Sequence, residues 1–214
     1  PLVALRVPAH PLCLALLQRL DFPLAAPSAN PFGYISPTRA EHVAAQMGER
    51  IAYILDGGPT TIGIESTIVG FPEGEPPKVF RPGGTALEAI EAVVGPVQRF
   101  TGATLQPQTS GMLKSHYAPS KPLLLGELPH LLRRHGQAQV GVLAFRTAVV
   151  GIPAKRQVVL APSGELAEAA RNLFAGLRQR DDLEIDLILA ERLPEEGLGR
   201  AINDRLERAA AERG

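Results

Sequence analysis

Residues 140–145 have the sequence VGVLAF, an uninterrupted apolar run of strand length. Two similar runs follow, QVVLAP at 157–162 and IDLILAE at 185–191. GELAEAARNLFAGLRQRDD at 164–182 and GLGRAINDRLERAAAE at 197–212 have apolar residues at helical spacing. Continuous apolar strands that alternate with helices are typical of a parallel sheet covered on both faces. We therefore predict a small three-layer α/β domain in this part of the chain.

The first part of the chain, up to about residue 98, alternates short apolar runs with Pro/Gly turns. The strands predicted there are VALRV, FPLAA, IAYIL, STIVGF and KVF, and the helices are PLCLALLQRL, TRAEHVAAQMG and TALEAIEAVVG. This mixture indicates a twisted α/β sheet. The polar stretch TGATLQPQTSGMLKSHYAPSKP lacks periodicity and follows directly. We therefore predict one domain at 1–100, a linker at 101–121 and a second domain at 122–214.

Composition excludes several classes of partner. The 214 residues contain 22 Lys plus Arg and 22 Asp plus Glu, so no overall charge draws the chain to nucleic acid or to a membrane surface. No apolar run approaches membrane-spanning length. The single cysteine, Cys13, lies between leucines of a predicted helix, which favours a buried, unreactive thiol and a reducing, cytoplasmic compartment.

The stretch APSANPFGYISPT, residues 26–38, brings small polar groups to the end of a predicted strand. Open α/β sheets bind ligands at such ends, and Ser28, Asn30 and backbone N–H groups there suit a phosphate. A turn shaped by the prolines and capped by Ser28 and Asn30 is an equal alternative. Thr38 is explained as a helix cap, whereas Ser36 has hydrogen-bonding capacity beyond capping.

Three further groups interrupt apolar stretches. Residues 65–67, Glu-Ser-Thr, break what would otherwise be a buried strand, so something must satisfy their polar groups. Arg81 ends a strand before a glycine turn, where a guanidinium can clamp a phosphate or carboxylate, although a surface ion pair is the commoner fate of such an arginine. Arg6 lies between Leu5 and Val7, which requires either a structural carboxylate partner or an anionic ligand.

Taken in order, VALRVPAHPL, APSAN, the Ser-Pro-Thr helix entry, ESTIV, RPG and the linker motif HYAP resemble the YrdC-type threonylcarbamoyl-AMP synthases. The linker and the additional α/β domain resemble the long, two-domain form of that family. The resemblance implies the C-terminal part of a YrdC-like catalytic domain, a linker that acts as a lid, and a small Rossmann-like domain. It covers essentially the whole chain.

The resemblance also implies an activity. Such enzymes condense L-threonine, bicarbonate and ATP into L-threonylcarbamoyladenylate and pyrophosphate, and a tRNA-modifying transferase complex then uses the product. By resemblance, Arg6, Ala26 and Ser66 bind L-threonine. Ser28, Asn30, Ser36 and Arg81 bind ATP, and Tyr117 of the linker covers the nucleotide. Mg²⁺ is expected, held mainly by the phosphates, and no residue is expected to act as a covalent nucleophile.

Two departures from the family pattern lead to expectations. The family's N-terminal half, with a basic phosphate-binding segment, is expected before Pro1, so the fragment alone is predicted to be inactive. Residues 109–112 are Thr-Ser-Gly-Met, where the family pattern has Ser-Pro-Gly-Met, which loosens the expected lid. No pair of His, Cys or carboxylate residues at ligand spacing indicates a protein-bound metal. The charged residues of the last two predicted helices are expected to face solvent.

Two other functions fit parts of the pattern. Small relatives of this family have been associated with double-stranded RNA, but zero net charge and the lack of a basic run argue against direct RNA binding. The related carbamoyltransferases of hydrogenase maturation share the YrdC-like fold, but their zinc-finger and acylphosphatase-like segments do not occur in this sequence. Both remain alternatives to the synthase.

Overall fold

The computed structural model describes residues 3–99 and 115–211. The first range contains α1 (Pro11–Leu17), α2 (Ala40–Met47), a 3₁₀ turn (Gly48–Arg50), β1 (Ile68–Gly70), β2 (Lys78–Arg81), α3 (Leu87–Val94) and β3 (Gln98–Arg99). Strand β2 lies in the centre of a small sheet, antiparallel to β1 and parallel to β3. The predicted strands STIVGF and KVF and the three predicted helices are confirmed in position.

Three other predicted strands in this range are wrong. The stretches VALRV, FPLAA and IAYIL form no strand, and Val3, Leu5 and Val7 are 79%, 88% and 89% exposed. A strand is stable only when a neighbour accepts and donates its backbone hydrogen bonds. Within residues 3–99 and 115–211 no strand pairs with these stretches, so their apolar composition alone does not make them extended sheet.

The second range contains β4 (Leu123–Gly126), α4 (Leu128–His135), β5 (Val140–Ala144), a 3₁₀ turn (Ala154–Arg156), β6 (Gln157–Val159), α5 (Leu166–Asp181), β7 (Leu187–Glu191) and α6 (Gly199–Ala210). The four strands form one parallel sheet in the order β4-β7-β5-β6. The three apolar runs of the sequence analysis become β5, β6 and β7. This confirms a mixed α/β chain with a parallel sheet.

Helices cover both faces of the parallel sheet. Leu143 and Ile188 pack with α5 and α6 on one face, whereas Val142 and Leu189 pack with α4 on the other. Because neighbouring side chains of a strand point to opposite faces, every residue of β5 is buried. The larger core lies on the α5 and α6 face, and it also takes in Ile35, Ile64 and Tyr117 from outside this sheet.

The first range crosses α5 at a glycine. Gly63 has φ +86°, and a Cβ there would lie 2.4 Å from backbone atoms of Ala170 and Arg171. No side chain fits in that gap, so a glycine lets residues 61–64 lie directly on α5. This contact places the segment that follows, with Glu65, beside the helices of the second range.

The predicted burial of Cys13 is only partly met. The residue is half-buried, and its helix, α1, contains no buried residue. Residues 101–114 of the predicted linker, including 109–112, lie outside the described residues. The domain boundaries stay a prediction. No helix within residues 3–99 and 115–211 has the length and apolar character needed to cross a bilayer.

Candidate active site

Four side chains from distant parts of the chain surround the carboxylate of Glu65. We name this set the Glu65 cluster: Ser36, Glu65, Arg81, Tyr117 and Arg205. Ser36 Oγ donates to Glu65 Oε1 over 2.7 Å, and Arg205 Nε donates to Glu65 Oε2 over 3.0 Å. Arg81, Tyr117 and Arg205 all lie close enough to Glu65 to interact with its charge. The cluster therefore joins the segment before α2, the end of β2, the chain after 115 and helix α6.

Arg205 is the most deeply buried member, with a side chain that is 0% exposed. Its Nη1 donates to the backbone oxygen of Pro82 and to Asp204 Oδ2, each over 2.8 Å. Its guanidinium carbon lies 5.3 Å from the centre of the Tyr117 ring, within the range of a cation–π contact. One arginine thus touches a carboxylate, a backbone carbonyl and an aromatic face.

The charge of Glu65 is stabilised inside the protein. Burial by itself would raise the pKa of this carboxyl group, but the Arg205 charge and the Ser36 hydrogen bond outweigh burial and hold the pKa below its ordinary value. Glu65 is therefore an anion at neutral pH. Its two oxygens are both engaged, one by a hydroxyl and one by a guanidinium.

Arg81 is held in place by the segment that carries Glu65. Its Nη2 and Nε donate to the backbone oxygen of Ser66 over 2.9 and 3.3 Å, and the residue is 8% exposed. A Cβ on Gly83 would lie 2.3–2.5 Å from backbone atoms of residues 65–67, so the glycine of RPG allows this close approach. Burial, and then the nearby Arg205 charge, lower the pKa of Arg81. Two guanidinium groups thus lie close to the carboxylates of Glu65 and Asp204, which offset their charge.

Tyr117 has the only positive φ of a non-glycine residue within residues 3–99 and 115–211, at 61°. Such a conformation costs about 1–3 kcal/mol and persists only where the surroundings enforce it. The ring is 1% exposed and packs on Phe174 of α5 and on His116, with ring centres 5.4 and 4.1 Å away. The backbone N–H of Ala118 donates to Gly33 O over 2.9 Å, which fixes the HYAP segment against the segment before Ser36.

A second set of contacts, the Asp181 cluster, ties the end of α5 to both of these segments. It consists of Tyr34, Ser120, Lys121 and Asp181. Asp181 Oδ2 accepts from the Tyr34 hydroxyl over 2.5 Å, and Oδ1 accepts from Ser120 Oγ over 2.7 Å and from the Lys121 N–H over 3.0 Å. The Asp181 carboxylate therefore fixes both the segment just before Ser36 and the segment just after Tyr117.

Arg178 of α5 holds the backbone beside Ser36. It is 8% exposed, and it donates to the carbonyl oxygens of Ile35 and Ser36 and to the side-chain oxygen of Gln46 in α2. Its guanidinium carbon also lies 5.3 Å from the centre of the Tyr34 ring. The hydroxyl of Ser36 is thereby presented from a backbone that the second range of the chain supports.

The residues predicted from the sequence to bind substrates fall into three groups. Ser36, Arg81 and Tyr117 come together in the Glu65 cluster. Ser66 is exposed, and it contacts the cluster only through its backbone oxygen, which accepts from Arg81. Asn30 is buried and donates to the backbone oxygens of Pro31 and Tyr34, as the turn alternative requires. The exposed residues are Arg6, Ala26 and Ser28. The substrate role of every one of these residues stays a prediction.

Sequence reasoning missed Arg178, Asp181 and Arg205, because charged residues of the last two helices were expected to face solvent. That expectation is wrong for all three, which are buried. A signal was present: Arg205 follows Ile202 by three positions and precedes Ala209 by four, so it lies on the apolar face of α6. A charged residue on an apolar helix face indicates a buried partner.

Replacing Asp181 with asparagine is expected to lower the free energy of unfolding by about 2 kcal/mol, because three donors lose a charged acceptor. Burial alone would raise the pKa of Asp181, but hydrogen bonds from Ser120, Tyr34 and Lys121 hold it below its ordinary value. The stabilisation is therefore present above that ordinary value and is lost as pH falls through the lower, folded pKa. Urea unfolding of the wild type and the variant at several pH values measures this effect. The exposed neighbour Asp182 provides the control, and an equal loss in Asp182→Asn would contradict the assignment.

Comparison with protein families assigns both parts of the chain. Residues 85–211 match the family described as "Threonylcarbamoyl-AMP synthase, C-terminal domain". Residues 1–83 match the family described as "Telomere recombination". Three members of the Glu65 cluster, Ser36, Glu65 and Arg81, belong to the range 1–83, and the other two, Tyr117 and Arg205, belong to the range 85–211. The cluster therefore lies where the two matched ranges meet.

Similar proteins agree with these matches. The chain is 42% identical over 221 residues to the threonylcarbamoyl-AMP synthase of Bacillus subtilis, and 39% identical over 220 residues to that of Pyrococcus abyssi. Each alignment covers 99% of this chain and 64% of the relative. A crystal structure of P. abyssi Sua5 complexed with L-threonine superposes with a TM-score of 0.86 at 37% identity, over 96% of this chain and 63% of that one. The chain thus spans somewhat less than two thirds of its relatives' length. The alignments do not bear out the expectation that the family's N-terminal half is missing before Pro1.

Proposed function

The chain belongs to the threonylcarbamoyl-AMP synthase family, and from that premise we propose that it acts in the synthesis of L-threonylcarbamoyladenylate from L-threonine, bicarbonate and ATP. Pyrophosphate is the second product, and the adenylate serves the threonylcarbamoyl modification of tRNA in the cytoplasm. The observation that carries the proposal is the convergence of Ser36, Arg81 and Tyr117 around Glu65. The family resemblance assigns all three of these residues to the nucleotide.

The proposed reaction needs positioning more than covalent chemistry. The amine of threonine first attacks carbon dioxide, in equilibrium with bicarbonate, and the nitrogen loses a proton to give a carbamate. A carbamate oxygen then forms a bond to the α-phosphorus of ATP, and the bond from that phosphorus to the bridging oxygen of pyrophosphate breaks. Negative charge builds on the phosphate oxygens during this step, and fixed donors stabilise it. Holding the two substrates together lowers the barrier further.

Each proposed role uses a different physical property. Arg6, Ala26 and Ser66 form the threonine side of the site, with the Arg6 guanidinium on the carboxylate. Ser28 contributes a donor to the phosphates or the ribose. The donors of Asn30 and Ser36 are engaged by backbone oxygens and by Glu65, so these two residues either exchange those bonds when the nucleotide binds or accept from the ribose hydroxyls. The buried charge of Arg81 stabilises the nucleotide. Tyr117 lies over the nucleotide. The predicted lid-like linker, 101–121, and the Rossmann-like character of the second domain belong to this proposal.

Magnesium fits this site as part of the ATP substrate. Within residues 3–99 and 115–211 no group of three or more His, Cys, Asp or Glu residues could hold a metal ion. The carboxylate of the Glu65 cluster is occupied by Ser36 and Arg205. The donors that a magnesium ion prefers are therefore the phosphate oxygens, so we propose MgATP as the species bound.

Pyrophosphate release by the complete protein tests the proposal. We expect release that requires ATP, threonine and bicarbonate together, with loss of signal when any one is omitted. Release at the same rate without threonine would contradict the proposed reaction. The chain of 214 residues is assayed under the same conditions. Filter binding to double-stranded RNA at increasing salt separates the alternative, since a steep salt dependence would favour RNA binding.

Replacing Arg6 with alanine is expected to raise the KM for threonine about 10- to 100-fold and to leave the KM for ATP within twofold. The loss of a two-point charged contact to a carboxylate accounts for a change of this size. Initial rates of pyrophosphate release at varied threonine and ATP measure both constants. The exposed Arg19 in the same segment provides the control. Equal increases in both constants would show that Arg6 does not bind threonine selectively.

A further inference from the structure

We propose that Arg205 is a positioning residue for the nucleotide side of the site: it fixes Tyr117 and the Ser36–Glu65 pair in one geometry and so makes the second domain part of the active site. The inference rests on the proposed function and deepens it. Arg205 does not need to touch a substrate in this role. It acts through the residues that do.

Arg205 contacts Glu65, Pro82 and Tyr117 directly, and it reaches Ser36 through Glu65. Nε binds Glu65, whose other oxygen binds Ser36, and Nη1 binds the backbone of Pro82 directly after Arg81. The carbon of the same guanidinium lies over the Tyr117 ring, 5.3 Å from its centre. Movement of any one of these groups would break a contact with Arg205, so the predicted donors and the predicted cover share one reference point.

The burial of the Arg205 guanidinium also supports this role. A fully buried guanidinium is expensive unless it is paired, and here Glu65 and Asp204 supply two carboxylates. Packed apolar side chains would stabilise α6 against the core at a lower desolvation cost. A buried charge network is useful where direction matters, because each hydrogen bond of a guanidinium defines an angle that apolar contact does not define.

The strained backbone of Tyr117 supports the role as well. Its left-handed conformation requires surroundings that enforce it, and the ring is enclosed by Arg205, Phe174 and His116. Among these three, Arg205 alone is also bonded to the Glu65 pair. The loss of its planar group would therefore release the ring and the carboxylate together.

The kinetic test uses the complete protein with Arg205→Lys and Arg205→Met. Lysine keeps the positive charge but loses the planar guanidinium and its bond to Pro82. Methionine removes the charge as well. We expect the KM for ATP to rise about 3- to 10-fold with lysine and at least tenfold with methionine, with the KM for threonine within twofold. Arg200→Met on the same helix, whose partner Glu88 is exposed, is the control and should match the wild type. A KM for ATP that stays within twofold of wild type in Arg205→Lys would overturn the inference, as would equal increases for both substrates.

A second measurement is independent of catalysis. The chain has no tryptophan and three tyrosines, so a Y53F background leaves Tyr34 and Tyr117 as the strong emitters and keeps the Tyr34–Asp181 bond. The Tyr117 contribution is taken as the difference between Y53F and Y53F/Y117F. Acrylamide quenching of that contribution should increase at least twofold in Arg205→Lys and remain unchanged in Arg200→Lys. Unchanged quenching in Arg205→Lys would contradict the positioning role. If the wild type shows no threonine-dependent release, the proposed function fails, while the quenching result still decides whether Arg205 holds Tyr117.

Discussion

Replacing Glu65 with alanine is expected to lower the free energy of unfolding by about 3 kcal/mol, the lower end of the range for breaking a buried ion pair. The reason is the fate of Arg205, which is fully buried and would lose one of its two carboxylate partners. Asp204 would remain beside Nη1, which is why the upper end of the range is not expected. Urea unfolding of the chain followed by circular dichroism measures the change.

The control is Glu88→Ala. Glu88 is an exposed residue of α3, and it pairs with Arg200, which lies on α6 as Arg205 does. Exposed ion pairs contribute little, so its effect should stay below about 1 kcal/mol. The pH dependence adds a check on the cause. The pKa of Glu65 is held below its ordinary value, so the difference between wild type and Glu65→Ala should be complete above that ordinary value and shrink as pH falls through the folded pKa. A difference that did not change with pH would show that the charge of Glu65 is not responsible.

The largest effect on activity is expected for Arg81→Ala, with a fall in turnover of about 10²- to 10³-fold in the complete protein. Removal of a fixed donor from a site where charge develops has effects of this size. Arg81 lies at the end of β2 with its Nε and Nη2 engaged by the Ser66 carbonyl, so its guanidinium is fixed before any ligand binds. Pyrophosphate release at saturating threonine and ATP measures turnover.

Two further variants separate this role from a structural one. Arg81→Lys retains the positive charge without the forked guanidinium. It should fold like the wild type but keep only part of the turnover. Arg99→Ala removes an exposed arginine from the neighbouring strand β3 and should leave turnover unchanged. Turnover within threefold of wild type in Arg81→Ala, with folding intact, would remove Arg81 from the proposed site.

Much of the fold follows from short-range pattern. The runs around Val142, Val158 and Leu189 are apolar on both faces, and helical segments separate the last two, so a covered parallel sheet was predictable. The run around Leu5 has a similar composition but no pairing partner within residues 3–99 and 115–211, and it forms no strand. Composition specifies which segments can be strands, whereas pairing decides which of them are.

The site divides in the same way. Ser36 and Arg81 could be proposed from the sequence because each follows an apolar stretch beside Pro or Gly. Arg205 was assigned to a solvated face by residue type, although its helical position beside Ile202 and Leu206 places it in the core. Its partner Glu65 lies 140 positions away in the chain, and no local pattern connects two residues at that separation.

The strand order β4-β7-β5-β6 has a consequence for how the protein is made. Strand β7 follows the other three strands of this sheet in the chain but lies between β4 and β5, so the sheet cannot close until the ribosome has delivered residues 187–191. Pairing between distant segments is slow compared with local pairing. A nascent chain that stalls before residue 187 would present two unpaired strand edges, which are templates for aggregation. We therefore expect this parallel sheet to form only after β7 and α6 have left the ribosome.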